Sequence, residues 1–274
     1  MLTRLGFATA ALDAKLLTQH GLGLSALELA TRENQPVDLT GADRVAALLQ
    51  RRLTGESVAR IIGEREFYGL AFGLNAATLE PRPDTELLVD LALAAMPPDG
   101  RVLDLGTGTG CIPIAMLAQM DGISAVAVDL SALALAAAHD NAARHKVADR
   151  LTLLAGSWFE PVPPQRFDII VSNPPYITSA VVETLAPEVK DFDPRLALDG
   201  GPDGLAPYRI LAREAAPWLT PDGRILVEIG HDQGAAVTTL FLEAGFDDVS
   251  VHRDLAGLDR VVVARHVDDA ISAG

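Results

Sequence analysis

Apolar residues recur at helical spacing from about residue 3 to residue 62, in "LGFATAALDAKLLTQH", "SALELATR" and "TGADRVAALLQRRLTG". The pattern predicts a small helical domain over residues 1–65, with Ser25 and Thr40 as helix N-caps. At "REFYGLAFGLNAATLEPRPDTE" the period breaks, and its aromatics, glycines and prolines predict a β-hairpin connector over residues 66–83. Helical spacing resumes in "DTELLVDLALAAM", with Asp84 as the expected N-cap and Glu86 in the first turn, where the helix dipole favours an acid. From there strand-like runs and helices alternate: "RVLDLG", a helix to Met120, "SAVAVDL", "ALALAAAHDNAARH", "LTLLAG" and "FDIIVS". Alternation of this kind predicts an α/β fold with a mostly parallel sheet over residues 84–274. The stretch 177–204 reads as irregular; a helix near 205–217, "GRILVEIG", a helix at 233–244 and two last strands follow. Those strands are joined by "DLAGL", too short for a parallel crossover, and are expected to pair antiparallel.

Composition narrows the class. With 49% hydrophobic residues in 274, the chain can bury a substantial core. A formal charge of −15 argues against a surface built to hold nucleic-acid phosphates, so no stable nucleic-acid binding is expected. The single cysteine, Cys111, allows neither an internal disulfide nor a thiolate metal cage and reads as a packing residue. The six histidines lack metal-ligand spacing, and His139 and His145 are expected on a helix surface. The N-terminal run, interrupted by Asp13 and Lys15, lacks a signal-peptide core, and no apolar run is long enough for a membrane span. A soluble, cytoplasmic, monomeric protein is the expectation.

The chemistry gathers at strand ends. "VLDLGTGTGCIPIA" places Gly106, Thr107, Gly108, Thr109 and Gly110 between a strand and a helix. Such a turn either lets a ligand approach the backbone closely or packs strand tightly on helix. Cys111 stands where a dinucleotide fingerprint would have its third glycine, and no lysine follows to grip phosphate. Asp129, ending the next strand, can accept from two ribose hydroxyls or cap the following helix, although Ser131 is also able to cap it. Asp104 lies within the first strand, where a buried carboxylate needs the loop or a ligand ammonium as partner. Trp158 can pack on an adenine or in the core.

The fourth strand ends in Asn173-Pro174-Pro175-Tyr176. A residue before proline is pushed towards extended backbone, and prolines carry no N–H to occupy nearby carbonyls. The Asn173 side-chain oxygen and the Pro174 carbonyl can therefore form a pair of acceptors for one planar NH2 group, with Tyr176 as a stacking face; the alternative is that Asn-Pro-Pro merely ends the strand. Arg82 either lines the substrate pocket or makes a surface ion pair, and "EVKDFDPRLALDGGPDG", residues 188–204, is either a rim of the acceptor site or a disordered loop.

Taken together, "DLGTGTG", Asp129, "GSWF", "VSNPPYI", "LVEIGHDQG" and "PRPDTE" resemble the release-factor glutamine N5-methyltransferases of the HemK/PrmC family, within the class I S-adenosylmethionine-dependent methyltransferases. The resemblance implies a seven-stranded Rossmann-like sheet with an antiparallel final strand, preceded by a helical domain that helps to bind the protein substrate. It implies methyl transfer from S-adenosyl-L-methionine, leaving S-adenosyl-L-homocysteine, to the glutamine of the Gly-Gly-Gln loop of peptide chain release factors. It assigns Gly106 to Gly110, Asp129 and Trp158 to the cofactor and Asn173 to Tyr176 to the glutamine, with Asn173 also touching cofactor and no metal. Glu80, where the family has an apolar residue, raises a question about packing of the connector. The tetrapeptide alone is shared with nucleobase amino-methyltransferases, and the ribosomal-protein glutamine enzymes form a sister group; these are the competing activities. A cofactor-binding scaffold without catalysis and an NAD-linked oxidoreductase are the competing classes.

Overall fold

The computed structural model describes residues 2–32 and 34–266. The expected units extend to residues 1, 33 and 267–274, which lie outside the described residues. The helical part comprises α1 (Ala10–Leu22), α2 (Ala26–Thr31), α3 (Leu39–Leu53) and α4 (Val58–Ile62). Ser25 caps α2 in a reciprocal capping box with Glu28. Thr40 does not cap α3: it lies inside the helix, and Asp38 accepts from Gly41 N at 2.7 Å instead. A carboxylate in that position gains from the helix dipole as well as from the hydrogen bond. Asp13 is not a solvent-facing interruption of α1. It is buried against Arg52 Nε at 2.7 Å, and the Arg52 guanidinium lies 4.3 Å from the centre of the Phe7 ring.

The hairpin β1 (Glu64–Phe67) and β2 (Leu70–Gly73) begins two residues ahead of the expected connector. Its two turn residues, Tyr68 and Gly69, both have positive φ (54° and 74°), which matches the turn to the twist of the strands. Tyr68 is held in that unfavourable region by Glu86, which accepts from its N–H at 2.8 Å. Phe67 and Phe72 are fully buried, edge to face at 6.1 Å, and plug the hairpin into the main core. His145 departs from expectation: it is half-buried, with Nε2 2.8 Å from Ala71 O and its ring beside Phe72, whereas His139 is exposed. Glu80 has local partners, accepting from Ser57 Oγ at 2.8 Å and pairing with Arg65 at 3.3 Å, which answers the packing question at this position.

Helix α5 (Glu86–Ala95) is not capped by Asp84. Pro83 opens a 3-10 turn, Pro83–Thr85, that runs straight into it, and no side chain caps either start. The remaining chain alternates as predicted: β3 (Arg101–Leu105), α6 (Cys111–Gln119), β4 (Ser124–Asp129), α7 (Ala132–Arg144), β5 (Leu151–Ala155) and β6 (Phe167–Ser172). The stretch read as irregular contains α8 (Ser179–Val182), α9 (Pro187–Lys190) and a 3-10 turn at Arg195–Ala197. Then come α10 (Ala206–Glu214), β7 (Leu219–Glu228), α11 (Gly234–Glu243), β8 (Asp248–Arg253) and β9 (Asp259–Arg265).

The seven strands lie in the order β5-β4-β3-β6-β7-β9-β8, with β9 antiparallel to both neighbours and the other pairings parallel. Period-two alternation sends Val102 into one core with α5, α6 and the hairpin, and Leu103 and Leu105 into another with α10 and α11. From β3 the chain first builds outward through β4 and β5, then crosses back to β6 on the other side of β3. Such a reversal opens a crevice at the carboxyl ends of the strands, where ligands bind in sheets of this kind. The loops after β3, β4, β5 and β6 all emerge there.

Candidate active site

One cleft at that edge is lined by Gly106, Thr107, Gly108, Thr109, Asp129, Leu130, Trp158, Arg82, Thr85, Asn173 and Pro175, among others. The structure therefore brings together residues separated by up to 120 positions in sequence, from Ala77 to Ala197. Gly106 and Gly108 have φ of 82° and 56°, and a Cβ on either would project into open space rather than into protein. Their backbone is thus both left-handed and bare, as close approach by a ligand requires. Gly110 serves packing instead: a Cβ there would meet Ile114 Cδ1 at 2.8 Å. The packing reading is realised at Gly110, and the open space beside Gly106 and Gly108 leaves room for the other.

The loop is tied down from beneath. Gly106 N and Thr107 N both donate to Val128 O, at 2.9 and 3.0 Å, and Gly108 N donates to Asp129 Oδ2 at 2.8 Å. Asp129 Oδ1 accepts from Ser131 N at 2.8 Å, while Ser131 Oγ caps α7 through Ala134 N. Asp129 is therefore not needed as the cap. Each of its oxygens keeps a free lone pair, so it can also accept from a ligand diol. Asn141, not singled out in the sequence, donates to Thr109 O at 2.9 Å and accepts from Gly73 N at 2.8 Å, linking the loop to the hairpin.

Asp104 is completely buried under this loop, and neither carboxyl oxygen has a hydrogen-bond partner among the described residues. Burial pushes its pKa up to about 7, the Thr107 hydroxyl nearby offsets part of the rise, and the Asp129 charge adds to it. The Thr107 and Thr109 hydroxyls are likewise buried without partners. Three such groups around one loop fit a ligand that brings its own donors, such as an ammonium. Cys111 is buried beside them, its thiol pushed up to about 12 mainly by burial, which suits packing rather than reaction. Trp158 lines the cleft while packing on the second core, and its φ of 48° is a left-handed conformation rare for a side chain of that size.

Asn173 stands where β6 leaves the sheet. Its Nδ2 donates to Thr85 Oγ1 at 3.2 Å, and no protein donor reaches the Pro174 carbonyl among the described residues. The backbone beyond is braced by the 198–204 loop and by Gln233 ahead of α11: Ile177 N donates to Leu198 O, Gly200 N donates to Ile177 O, and Gln233 Nε2 donates to Tyr176 O at 3.0 Å. That loop is the backing of the tetrapeptide, and Leu196 and Ala197, just ahead of it, line the cleft. Pro174 is buried and Tyr176 packs on the second core, while Asn173 and Pro175 face the cleft. The Tyr176 hydroxyl, in a partly buried setting near Glu228, is pushed up to about 12.

Arg82 makes an ion pair, but with a buried acid and not a surface one. It lines the cleft and pairs with Asp193 at 3.1 Å, a buried acid that also holds the Arg60 guanidinium at 2.6 Å. Glu228 was missed in the sequence. It ends β7 one rung beyond the pairing of Ser172 with Val227, beside Asn173, and it is buried with Oε2 unpartnered. Burial raises its pKa to about 7, against the pull of Thr85, Arg260 and Asn173. The available signal was an acid closing the apolar run "RILVEIG". No group of three or more potential metal ligands occurs among the described residues. No helix among them is long and apolar enough to cross a membrane.

The Methyltransferase small domain model matches residues 82–189, and the PrmC N-terminal domain model matches residues 1–63. The release factor glutamine methyltransferase of Agrobacterium fabrum is 45% identical over 266 residues, covering 95% of this chain and 92% of the relative. That of Cereibacter sphaeroides is 46% identical over 260 residues, covering 95% of this chain and 92% of the relative. Among solved structures, a methyltransferase from Pyrococcus furiosus shares the fold with a TM-score of 0.56 at 16% identity, covering 83% of this chain and all of that one. The ribosomal protein L11 methylase of Lactobacillus delbrueckii subsp. bulgaricus has a TM-score of 0.52 at 21% identity, covering 71% of this chain and 84% of that one. With both family models in register and relatives this similar across nearly the whole length, the chain belongs to the release factor glutamine methyltransferase family.

Proposed function

We propose that the protein transfers a methyl group from S-adenosyl-L-methionine to the side-chain amide nitrogen of the glutamine in the Gly-Gly-Gln loop of peptide chain release factors. The observation that carries this reading is the position of Asn173 and Pro175 in the same cleft as the glycine loop and Asp129. Gly106 and Gly108 would admit the donor's backbone-facing side, Asp129 its ribose, Asp104 with Thr107 and Thr109 its ammonium end, and Trp158 its base. When bound, S-adenosyl-L-methionine supplies a methyl group made electrophilic by its sulfonium.

The protein's own contribution is placement. Asn173 Oδ1 and the Pro174 carbonyl accept the two N–H bonds of the glutamine amide, which leaves the nitrogen lone pair pointing into the cleft. Holding reactants near ~3–3.5 Å in line supplies several kcal/mol, whereas each neutral hydrogen bond adds only about 0.5–1.5 kcal/mol net. Orientation therefore dominates. No base is needed before transfer, because the nitrogen loses its proton readily once it carries the methyl group. The helical unit (1–65) and connector (66–83) present the release factor to the catalytic unit (84–274). Arg82, held by Asp193, lines the same cleft and would face the release factor.

Incubation with methyl-labelled donor and an intact release factor tests the reading: label is expected in the protein, at the glutamine. Label in RNA, DNA or a ribosomal protein in place of the release factor would overturn it.

A further inference from the structure

An asparagine side chain can sit in a site in two orientations that differ only by exchange of its oxygen and its NH2 group. Only one of them suits a carboxamide substrate. With Oδ1 outward, Asn173 and the Pro174 carbonyl are two acceptors facing one NH2 group. With Nδ2 outward, a donor would face the substrate's own donors.

Thr85 holds the inward end, its Oγ1 accepting from Asn173 Nδ2 at 3.2 Å. A hydroxyl alone does not choose between the orientations, because it donates as readily as it accepts. The choice requires a neighbour that claims the hydroxyl proton. Glu228 is that neighbour: the β6–β7 register sets it beside Asn173, its buried Oε2 has no hydrogen-bond partner among the described residues and is free to accept, Thr85 and Asn173 both act on its carboxyl, and an ionised carboxylate only accepts. Its place is fixed by the β6–β7 register and by Tyr208, whose hydroxyl donates to Glu228 O at 2.7 Å. Thr85 and Glu228 are each only 2% exposed, so water does not compete for these bonds. Arg260 and Asp84 are the other charged groups near this carboxyl, and Arg260 is itself engaged by Asp254 at 3.0 Å.

We propose that Glu228 and Thr85 act as positioning residues that lock the Asn173 amide with its oxygen outward, and that this lock makes the site select a carboxamide over a carboxylate. The proton of Thr85 points to Glu228, the lone pairs of Thr85 point to Asn173 Nδ2, and two acceptors are left facing the substrate. A carboxylate in the same place would set its oxygens against both of them. Without the lock, Asn173 can turn its NH2 outward and tolerate the acid.

The inference rests on the glutamine amide being the acceptor, and its test separates the two claims. The quantity to measure is a discrimination ratio: KM for the release factor against the inhibition constant of the same factor with its target glutamine changed to glutamate. It is measured at about pH 8, above the value to which burial raises Glu228. Wild type is expected to bind the glutamate form at least about a hundredfold more weakly than the glutamine form, because two acceptors face it. Thr85→Val and Glu228→Gln should each lower that ratio by about tenfold or more, the equivalent of one hydrogen bond's choice of direction. Thr85→Ser should restore it. A cooperative unfolding transition, followed by circular dichroism, reports that each variant is folded. A ratio that stays at the wild-type value in both Thr85→Val and Glu228→Gln overturns the lock alone, as does a Thr85→Ser protein as indiscriminate as Thr85→Val. A wild type that leaves the glutamine unmethylated overturns the acceptor assignment, and the lock with it.

Discussion

A Cβ placed on Gly200 would stand 2.7 Å from the carbonyl oxygen of Pro175 and 2.8 Å from Tyr176 Cα. The two backbones touch with no side chain between them, and the Asn-Pro-Pro-Tyr segment is shaped by a loop some 25 residues downstream of it in the chain. Gly200→Ala must displace one of them. The expected result is a loss of about 1–3 kcal/mol of stability, with methyl transfer reduced more than cofactor affinity. Urea unfolding read beside cofactor titration checks this, and an unaltered transfer rate would show that the loop does not shape the acceptor site.

Arg52 joins three parts of the molecule: Asp13 of α1 at 2.7 Å, Glu188 of α9 at 2.5 Å, and the ring of Phe7. The Arg52 and Asp13 side chains are only 7% and 6% exposed, whereas that of Glu188 is 45% exposed. Removing a buried partner strands a charge at a cost of about 3–5 kcal/mol, and removing an exposed one costs at most about 1 kcal/mol. Asp13→Ala is thus expected to destabilise far more than Glu188→Ala in denaturant unfolding. Equal effects would show that the arginine is not held by the helical unit.

Glu228 makes stability depend on pH. Burial raises its pKa from 4.5 in the unfolded chain to about 7 in the fold. Between these values the folded protein holds a proton that the unfolded chain has lost, so stability falls as pH rises through this window. Glu228→Gln carries no such proton. Its stability relative to wild type should rise between about pH 4.5 and pH 7, by on the order of 3 kcal/mol. Parallel curves of unfolding free energy against pH would refute the assignment.

Asp104 predicts a pH dependence of a different quantity. Its pKa of about 7 reflects burial, offset only in part by Thr107, and an ammonium beneath the glycine loop would favour the ionised form. Affinity for S-adenosyl-L-methionine should therefore tighten as pH rises towards 7, by up to about tenfold per pH unit, and Asp104→Asn should flatten the profile. Calorimetric titration across that range decides it, and a wild-type profile as flat as the variant's would remove Asp104 from the cofactor site.

What the sequence made legible is what is local. The glycine loop, Asp129 and Asn173 announce themselves because each sits at the end of an apolar strand, and strand-helix alternation carries those ends to one edge of the sheet. The Ser25 capping box is likewise complete within four residues. Thr85 and Glu228 were illegible because their meaning is a contact: Thr85 meets Asn173 across 88 positions, and Glu228 reaches it through strand register. Gln233 and Asn141 brace backbone carbonyls 57 and 32 positions away, which no spacing rule encodes. Asp84 misled because a proline just before it started the turn first, and Thr40 because Asp38 offered the stronger cap. The stretch 177–204 read as irregular because helices of four residues are too short to show a period.

Where the methyl group goes, and what Asn173 does to send it there, can be measured together. Fragment-ion mass spectrometry of an intact release factor, after reaction with wild type and with Asn173→Ala, measures both. The expected result is one methyl group on the side chain of the Gly-Gly-Gln glutamine with wild type, and transfer lowered by about a hundredfold or more with Asn173→Ala while cofactor affinity changes little. A methyl group on any other residue, or an Asn173→Ala protein that methylates the glutamine at the wild-type rate, would contradict it.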